Sequence, residues 1–307
     1  MNKLEPIYQT DLFGLEKYIK ELISLYEEGK YPNKILFSGL KGIGKSTLAY
    51  HFINYVLSQG ETYSYDKKNF KIDSRSQIFK TVVNKSNPNL NIIDITNEKK
   101  SIDINQIREL TLQLNKSSFN NKPRFVLIDN IEFLNVNSIN ALLKILEEPT
   151  QNTYFLLIHN NKKILPTLKS RCLDFKISLS HEKSINICNK LVGSNISDLI
   201  CSDILDYYFT PGKIYNLIKF AKENSLDLKN LNLESFLSYI IDNSFYKKDS
   251  SIKYMVYDFF ELYLINKSSM KNFGYLSYFL KQLKNCKQYN LDEESLFLEF
   301  KYKQLNG

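Results

Sequence analysis

The sequence predicts an α/β fold, in which a domain with a parallel five-stranded sheet is followed by a small helical lid and an all-helical C-terminal domain. Between residues 34 and 177, short apolar runs alternate with segments of helical spacing. The runs are rich in Ile, Val, Phe and Leu without strict polar alternation, which is typical of parallel strands buried on both faces. After residue 178 only helical patterns follow. These observations predict a doubly wound α/β domain over residues 1–178, a lid over 179–225 and a helical domain over 226–307.

The predicted strands are the five apolar runs Lys34–Ser38, Leu90–Ile95, Arg124–Asp129, Thr153–His159 and Leu173–Ile177. The clearest helix between them is Ser138–Glu147, where apolar residues recur at i, i+3, i+4 and i+7 before Pro149 closes the run. Beyond the last strand we predict three short helices, at His181–Val192, Ser197–Tyr208 and Pro211–Asn224.

The C-terminal domain is predicted to follow a linker at residues 224–232 and to consist of helices rich in aromatic residues. These side chains favour helix packing and a subunit interface over a base-stacking surface. They are Tyr254, Tyr257, Phe259, Phe260, Tyr263, Tyr275, Tyr278 and Phe279.

The composition restricts the class of protein. Hydrophobic residues make up 43% and charged residues 24% of the chain, as in soluble globular proteins. The net charge of +8 fits a polyanionic partner, and equally fits lysines dispersed by an AT-biased genome. The four cysteines form no CxxC pair, which argues against a disulfide framework and a zinc site. No apolar stretch has the length of a membrane span or the features of a signal peptide, so we expect a cytoplasmic protein.

Residues 39–46 read Gly-Leu-Lys-Gly-Ile-Gly-Lys-Ser and match the P-loop pattern G-x-x-x-x-G-K-[ST]. They lie between a predicted strand and a predicted helix, where glycines let backbone N–H groups face phosphates at the helix N-terminus. Lys45 is predicted to reach the β- and γ-phosphates of ATP, and the Ser46 hydroxyl to bind Mg²⁺. The alternative is a glycine-rich turn with a lysine there by chance. The predicted site for ATP and Mg²⁺ comprises Gly39, Gly42, Gly44, Lys45, Ser46, Thr47 and Asp129.

The strand Arg124–Asp129 ends in a carboxylate, which can hold Mg²⁺ through water at the top of a buried strand. A hydrolysing enzyme of this type usually has Glu after the Asp, as the base that orients the attacking water, but here the residue is Asn130. An amide cannot accept the proton of a water, so a general-base contribution of roughly a hundred- to ten-thousand-fold is at risk. Glu132 is an alternative base, although it lies past the predicted strand end. We therefore expect nucleotide to be bound better than it is hydrolysed.

Arg171 follows a predicted helix near Lys163–Ser170 and precedes the last predicted strand. Eight helical residues span roughly 12 Å, so this helix would carry Arg171 away from the strand ends where the P-loop lies. A phosphate that Arg171 contacts should then belong to another chain. The alternative is an arginine that pairs with the dipole of a helix end.

Four motifs in this order resemble those of the clamp-loader ATPases, a family of AAA+ proteins. They are Ile102-x-Ile104-x-Gln106-Ile107-Arg108, then RFVLIDN at 124–130, NALLKILEEP at 140–149 and LPTLKSRC at 165–172. The resemblance covers roughly residues 5–220 and is strongest to the delta-prime subunits of bacterial DNA polymerase III. The C-terminal third resembles the family only in being helical and aromatic, where that family has its oligomerisation collar.

The resemblance implies an assembly of five subunits that opens a sliding clamp and places it on primed DNA. The implied partners are the ATPase and delta-type subunits, with clamp and DNA reached through the complex and no membrane. It also implies that Arg171, in the SRC motif, reaches the ATP of the adjacent motor subunit. His159 or Asn160 would be the position that senses nucleotide state, with an unliganded polar cap as the equal alternative, and Lys213 would be a lid contact.

Three features depart from the family pattern. Residues 57–88 contain no cysteine, where many members carry a four-cysteine zinc module, so no zinc is expected. The lid stretch Thr210-Pro211-Gly212-Lys213 has lysine where the family usually has arginine, which puts the lid contact to phosphate in doubt. The P-loop, which varies among delta-prime proteins, is intact, so nucleotide binding without turnover is expected.

Two other functions are each consistent with part of the sequence. An autonomous ATP-hydrolysing clamp-loader motor is consistent with the P-loop, but Asn130 and the missing zinc cysteines count against it. A small-molecule P-loop kinase needs several arginines in a lid, whereas the four arginines of this chain do not cluster in one. A basic face for DNA formed by Lys99, Lys100, Lys116 and Lys122 is less favoured than an ordinary solvated surface.

Overall fold

The computed structural model describes residues 5–95, 101–116, 120–148, 152–160, 164–205, 209–247, 250–266, 273–289 and 291–305. The chain divides into two compact units, Met1–Ile187 and Cys188–Gly307. The predicted division into residues 1–178, 179–225 and 226–307 stays a prediction.

The first unit is built on a parallel sheet of five strands. They are β1 Lys34–Ser38, β2 Leu90–Ile93, β3 Arg124–Ile128, β4 Thr153–His159 and β5 Leu173–Lys176, in the spatial order β2-β3-β4-β1-β5. Every pairing between neighbouring strands is parallel. The predicted α/β fold class is therefore confirmed.

Strand β2 ends two residues before its predicted end. Its pairing with β3 stops at Ile93, opposite Ile128. The next residue, Asp94, turns its side chain back to accept the N–H of Ile95 at 2.7 Å. Aspartate competes with ladder pairing through such local hydrogen bonds, which explains the early end.

The helices of the first unit are α1 Glu16–Glu27, α2 Lys45–Leu57, α3 Gln77–Val83, α4 Ile104–Leu114, α5 Val136–Glu147 and α6 Pro166–Lys169. Single 3₁₀ turns occur at Pro6–Tyr8 and Ile131–Phe133. Helix α7, His181–Val192, begins in this unit and matches its predicted bounds.

Helices cover both faces of the sheet, because side chains of a strand alternate between faces. Val126 and Phe155 are fully buried in one cluster with apolar residues of α4 and α5. The alternate residues Phe125 and Tyr154 face the other way, where Phe125 lies 6.1 Å from Phe52 of α2 between ring centroids. This arrangement leaves the carboxyl ends of the strands as the edge on which polar side chains collect.

The second unit is helical throughout the part that the structure describes. It contains α8 Ser202–Leu205, α9 Pro211–Glu223, α10 Leu233–Asp242, α11 Ser250–Asn266, α12 Phe273–Tyr289 and α13 Glu294–Phe300, followed by a π-helical turn at Lys301–Leu305. Short 3₁₀ turns lie at Ile196–Asp198 and Phe245–Lys247. The predicted linker joins α9 to α10, although its Leu228 is buried.

Aromatic rings form the core of the second unit. Phe260 lies 4.7 Å from Phe297 and 4.2 Å from Phe300 between ring centroids, and Phe279 packs against Phe300 at 5.4 Å. Of the eight predicted aromatic residues, Tyr278 is exposed, and the side chains of Tyr254 and Tyr275 lie outside the described residues. The remaining five are buried, as helix packing predicts; they are Tyr257, Phe259, Phe260, Tyr263 and Phe279.

The predicted helix Ser197–Tyr208 is wrong over its described part. A 3₁₀ turn at Ile196–Asp198 is separated from the four-residue helix α8, and residues 206–208 lie outside the described residues. Between them, Cys201 donates its N–H to the Leu228 carbonyl at 3.0 Å and its S–H to the Leu231 carbonyl. These tertiary bonds interrupt a run whose apolar spacing resembles that of a helix.

No helix in the described ranges is both long and apolar enough to cross a membrane.

Candidate nucleotide-binding site

The P-loop forms a tight turn between β1 and α2. Gly39, Gly42 and Gly44 have φ values of 153°, 86° and 94°. Residues with a Cβ atom rarely adopt such positive φ values. A Cβ on Gly39 would also lie 2.3 Å from the carbonyl oxygen of Ile177, so only glycine fits there. The turn thereby leads directly into the N-terminus of α2, whose unpaired N–H groups favour an anion.

Lys45 occupies the first turn of α2 and is only 3% exposed. Its Nζ donates to the carbonyls of Gly39 at 2.9 Å and Leu40 at 2.7 Å. Burial lowers the pKa of this amine to about 8, against the opposing charges of Asp129 and Glu132. A buried ammonium group among neutral carbonyls gains strongly from an anionic partner, so this position fits a polyphosphate. Thr47 lies half-buried in the same helical turn.

Asp129 and Ser46 meet across 83 residues of sequence at the carboxyl end of β3. The Ser46 hydroxyl donates to Asp129 Oδ2, and the N–H of Asn130 donates to Asp129 Oδ1 at 2.7 Å. Desolvation raises the pKa of the Asp129 carboxyl to about 6, with Ser46 opposing the shift and the charge of Asp94 adding to it. A hydroxyl and a carboxylate are the hard oxygen ligands that Mg²⁺ prefers, so the pair fits a magnesium site.

Asn130 is hydrogen-bonded on both sides of its amide. Its Nδ2 donates to Asp94 Oδ1 at 2.8 Å, and its Oδ1 accepts from Asn160 Nδ2 at 2.9 Å. The backbone has φ 56° and ψ 45°, a left-handed conformation that asparagine tolerates better than most residues. Three strand ends are thus joined by one polar chain, from β4 through β3 to β2.

Sequence reasoning missed Asp94. It directly follows β2, and β2 pairs with the strand that carries Asp129. The carboxyl ends of neighbouring parallel strands lie at one edge of a sheet, so the order of the strands brings Asp94 to the site. The available signal was an aspartate in the last residues of a predicted strand, which was read as part of the strand.

The predicted sensor residues lie in different surroundings. His159 is the last residue of β4 and pairs in register with Ser38, directly before the P-loop. Asn160 follows it and donates its N–H to Glu132 Oε2 at 3.4 Å in addition to its contact with Asn130. Lys213 lies in the second unit, where its Nζ is 2.7 Å from Asp258 Oδ2. Its predicted contact with phosphate stays a prediction.

The helix before Arg171 is shorter than predicted. Helix α6 begins at Pro166, and Leu165 has the extended backbone that a following proline favours. Residues 161–163 lie outside the described residues. The four residues of α6 span about 6 Å rather than the predicted 12 Å, so the helix length does not account for where Arg171 lies.

The direction of β5 places Arg171 at the opposite edge of the sheet from the P-loop. Arg171 comes just before β5, whose first residue Leu173 is in register with Ile35 near the start of β1. The P-loop follows the end of β1 at Ser38. The Arg171 side chain is 35% exposed and is ion-paired with Glu147 at the end of α5.

Most of the sheet-containing unit matches a known protein family. Residues 14–181, more than half of the chain, match the family model described as "DNA polymerase III, delta subunit". The chain belongs to this family. Membership confirms the predicted resemblance to the clamp-loader proteins, and the sheet and P-loop described above are those of an α/β AAA+ fold.

The chain is similar to curated delta-prime and gamma subunits of DNA polymerase III over part of their length. The delta-prime subunit of Buchnera aphidicola (subsp. Baizongia pistaciae) is 33% identical over 167 residues, which are 52% of this chain and 48% of that protein. The gamma subunit of Buchnera aphidicola (subsp. Schizaphis graminum) is 30% identical over 239 residues, which are 74% of this chain and 63% of that protein. The chain spans about half the length of the delta-prime relative it matches.

Among solved structures, a gamma subunit-related protein of Thermotoga maritima is 18% identical with a TM-score of 0.47. The similarity covers 91% of this chain and 96% of that one.

In the part of this chain that the structure describes, metal-ligating side chains do not form a cluster. No group of three or more His, Cys, Asp and Glu side chains is placed to hold a metal ion there. Cys172, Cys188, Cys201 and Cys286 are all free thiols. The segment between α2 and α3 contains several side-chain hydrogen bonds, among them Tyr65 N–H to Ser58 Oγ at 3.0 Å and Ser76 Oγ to Glu61 at 2.7 Å.

The predicted basic face is only partly described. Lys99 and Lys100 lie outside the described residues. Lys122 donates its Nζ to the Leu57 carbonyl at 2.6 Å, at the C-terminal end of α2, where a cation is favoured by the helix dipole. Lys116 is exposed. A structural role for Lys122 therefore accounts for its position, and a contact with DNA stays a prediction.

Proposed function

We propose that this chain is a clamp-loader subunit of DNA polymerase III that helps place the sliding clamp on primed DNA. In this proposal it binds ATP with Mg²⁺, hydrolyses it weakly or not at all, and contributes Arg171 to the ATP site of a neighbouring subunit. The observation that carries the proposal is that Lys45, Ser46 and Asp129 lie close together, with an amide rather than a carboxylate at the next position, 130. Its partners would be the ATPase and delta-type subunits, and through them the clamp and DNA.

Binding without turnover follows from the chemistry of the site. Mg²⁺–ATP would supply phosphate oxygens for the buried Lys45 ammonium group and a metal ion for Ser46 and Asp129. Lys45 would lie against the β- and γ-phosphates, while Ser46 and Asp129 would hold the metal. Asn130 is able to hold a water by hydrogen bonds but accepts no proton from it, so the general-base contribution of roughly a hundred- to ten-thousand-fold is missing.

The role of Arg171 in trans is supported by its position rather than by its helix. It lies at the sheet edge opposite its own P-loop, with a partly exposed guanidinium group. A guanidinium group stays charged at any working pH and contacts two phosphate oxygens at once. An arginine supplied by a neighbouring chain increases phosphoryl transfer by roughly a thousand- to a hundred-thousand-fold in comparable systems.

The proposal is tested by reconstitution with the other clamp-loader subunits and the sliding clamp of the same organism. Loading of the clamp onto primed DNA should require this chain. Titration of the isolated protein with labelled ATP should show saturable binding that Lys45→Ala removes. Clamp loading at the same rate without the chain would contradict the proposed function. Absence of saturable ATP binding would show that the P-loop has lost its role.

A second candidate is the autonomous ATP-hydrolysing motor subunit. The similarity to a gamma subunit extends over 74% of this chain, more than the similarity to the delta-prime relative named above. Asn130 opposes this candidate for the chemical reason just given. Phosphate release by the purified chain alone distinguishes the two, because a motor hydrolyses ATP by itself and Lys45→Ala abolishes that activity.

A further inference from the structure

Arg171 is held by a carboxylate of its own chain. Its Nε–H donates to Glu147 Oε1 at 2.9 Å, and an Nη2–H donates to the same oxygen. Its Nη1 donates to the carbonyl of Thr167 at 2.8 Å. A guanidinium group carries five N–H donors, so three in use leave two for another acceptor.

Stability does not account for this pair. The side chains of Arg171 and Glu147 are 35% and 54% exposed, and ion pairs as exposed as this contribute little to folding. The pair nevertheless joins the end of α5 to the residue before β5, across 24 residues of sequence. It fixes a long side chain in one orientation, which is a requirement for a group that must meet a phosphate in a set geometry.

We propose that Glu147 is a positioning residue for Arg171. It holds the edge of the guanidinium group formed by Nε and Nη2, and leaves the remaining N–H groups directed away from it to meet a phosphate of the neighbouring subunit. This inference rests on the proposed function of Arg171. Without Glu147 the arginine stays charged, but its side chain has to be ordered during the contact itself, which slows the reaction without removing it.

The chain offers a matched control in Glu148, the next residue. It is also exposed, and the hydrogen bonds of the Arg171 side chain described above are made with Glu147 and Thr167 rather than with it. We expect Glu147→Gln to lower hydrolysis at the motor site that Arg171 serves by roughly three- to tenfold, as for the lost ordering of one long side chain. In the DNA- and clamp-stimulated ATPase of the reconstituted complex, this variant should remove most of the activity that Arg171→Ala removes, and no more. The change should fall on kcat rather than KM. Glu148→Gln should leave the rate unchanged.

A double-mutant cycle separates positioning from a structural role. In a complex that carries Arg171→Ala, adding Glu147→Gln should change nothing further, because a positioning residue acts only through the group it positions. A further loss in that background would assign Glu147 a structural role and overturn the inference.

Nitrogen NMR of the arginine side chains gives a readout that needs no activity. The chain has four arginines, Arg75, Arg108, Arg124 and Arg171, so their Nε–H signals are few. The Arg171 signal should exchange slowly with water in the wild type and quickly in Glu147→Gln. Equal exchange in both proteins would contradict the inference.

The ATPase of the two variants distinguishes an error in the proposed function of Arg171 from an error in the role of Glu147. If Arg171→Ala leaves the ATPase of the complex unchanged, the proposed function of Arg171 is wrong. If Arg171→Ala lowers it while Glu147→Gln leaves it unchanged or raises it, the function stands and the positioning role of Glu147 is wrong.

Discussion

The hydrogen bonds of the Asn130 amide limit which substitutions at position 130 could introduce ATP hydrolysis. Its amide donates to Asp94 at 2.8 Å and accepts from Asn160 at 2.9 Å. A glutamate at position 130 would bring a second carboxylate against Asp94. Like charges at this distance repel, and each disfavours ionisation of the other. The surroundings of position 130 are therefore matched to an amide.

We predict that the isolated wild-type protein hydrolyses ATP close to the background rate, and that Asn130→Glu alone changes this little. Asn130→Glu combined with Asp94→Asn removes the repulsion and should raise turnover by about tenfold or more, within the range of general-base catalysis. Phosphate release by the purified proteins measures this, with Lys45→Ala added to each as a control. Rapid hydrolysis by the wild type that Lys45→Ala abolishes would contradict the prediction.

The shifted pKa values of Lys45 and Asp129 predict how ATP–Mg²⁺ affinity depends on pH. Desolvation raises the pKa of Asp129 to about 6, so below pH 6 protons compete with the metal for this carboxylate. Burial lowers the pKa of Lys45 to about 8, so above pH 8 the free protein loses the charge that attracts phosphate. Affinity should be greatest between these values and should fall by at most about tenfold per pH unit outside them.

Calorimetric titration at several pH values tests this dependence. Near pH 8.5, binding should take up protons in the wild type, because the phosphates raise the pKa of Lys45. Lys45→Arg should bind without that uptake, since arginine is already protonated. Affinity that declines steadily from pH 6 to pH 9 with no proton uptake would show that Lys45 does not control binding.

Single site residues could be predicted from the sequence where they belong to a local motif. Residues whose contacts lie in distant segments could not. The P-loop pattern identifies Lys45 and Ser46 because the spacing of the chemistry is local. Asp94 and Glu147 were missed because their partners are 36 and 24 residues away. Which carboxylate meets which partner depends on the order of strands and on where the helices end.

The bounds of helices and strands were predicted best where the burial of apolar residues alone determines them. Strands β1 and β4 have their predicted bounds because their apolar residues are buried on both faces. Helix α6 was predicted too long, since Pro166 fixes where it starts. The predicted helix at 197–208 failed because hydrogen bonds of Cys201 to a distant segment override apolar periodicity.

The segment between α2 and α3 should depend on buried hydrogen bonds rather than on a metal ion. Tyr65 is buried, and its hydroxyl lies 3.1 Å from His51 Nδ1. Tyr65→Phe keeps the ring but removes the buried hydrogen bond between its hydroxyl and His51, which should cost about 1–3 kcal/mol of stability. Urea denaturation measures this, with the exposed Tyr63 changed to Phe as the control.

The same measurement in the presence of EDTA tests the metal. The denaturation midpoint should be unchanged by the chelator. A midpoint that falls with EDTA and recovers with added zinc would contradict our interpretation of this segment.

For the whole molecule, the sequence predicted the fold class, and the predicted division into three domains stays a prediction. The alternation of strands and helices predicts a parallel sheet, and the family motifs predict its function. The order β2-β3-β4-β1-β5 and the unit boundary after Ile187 depend on packing between distant residues, which no local pattern encodes. The predicted phosphate-binding residues lie together in the first unit, while Lys213 lies in the second, paired with Asp258.

We propose that this chain acts on a neighbour's nucleotide through Arg171, and one measurement tests this role most directly. It is the DNA- and clamp-stimulated ATPase of the reconstituted complex with wild-type, Arg171→Ala or Arg171→Lys subunit, with assembly verified by gel filtration. Arg171→Ala should abolish most hydrolysis at one motor site, because such an arginine contributes roughly a thousandfold or more there. Arg171→Lys should rescue poorly, since an ammonium group lacks the planar two-point contact. Equal rates for all three intact complexes would contradict the account and leave Arg171 as a partner of Glu147 alone.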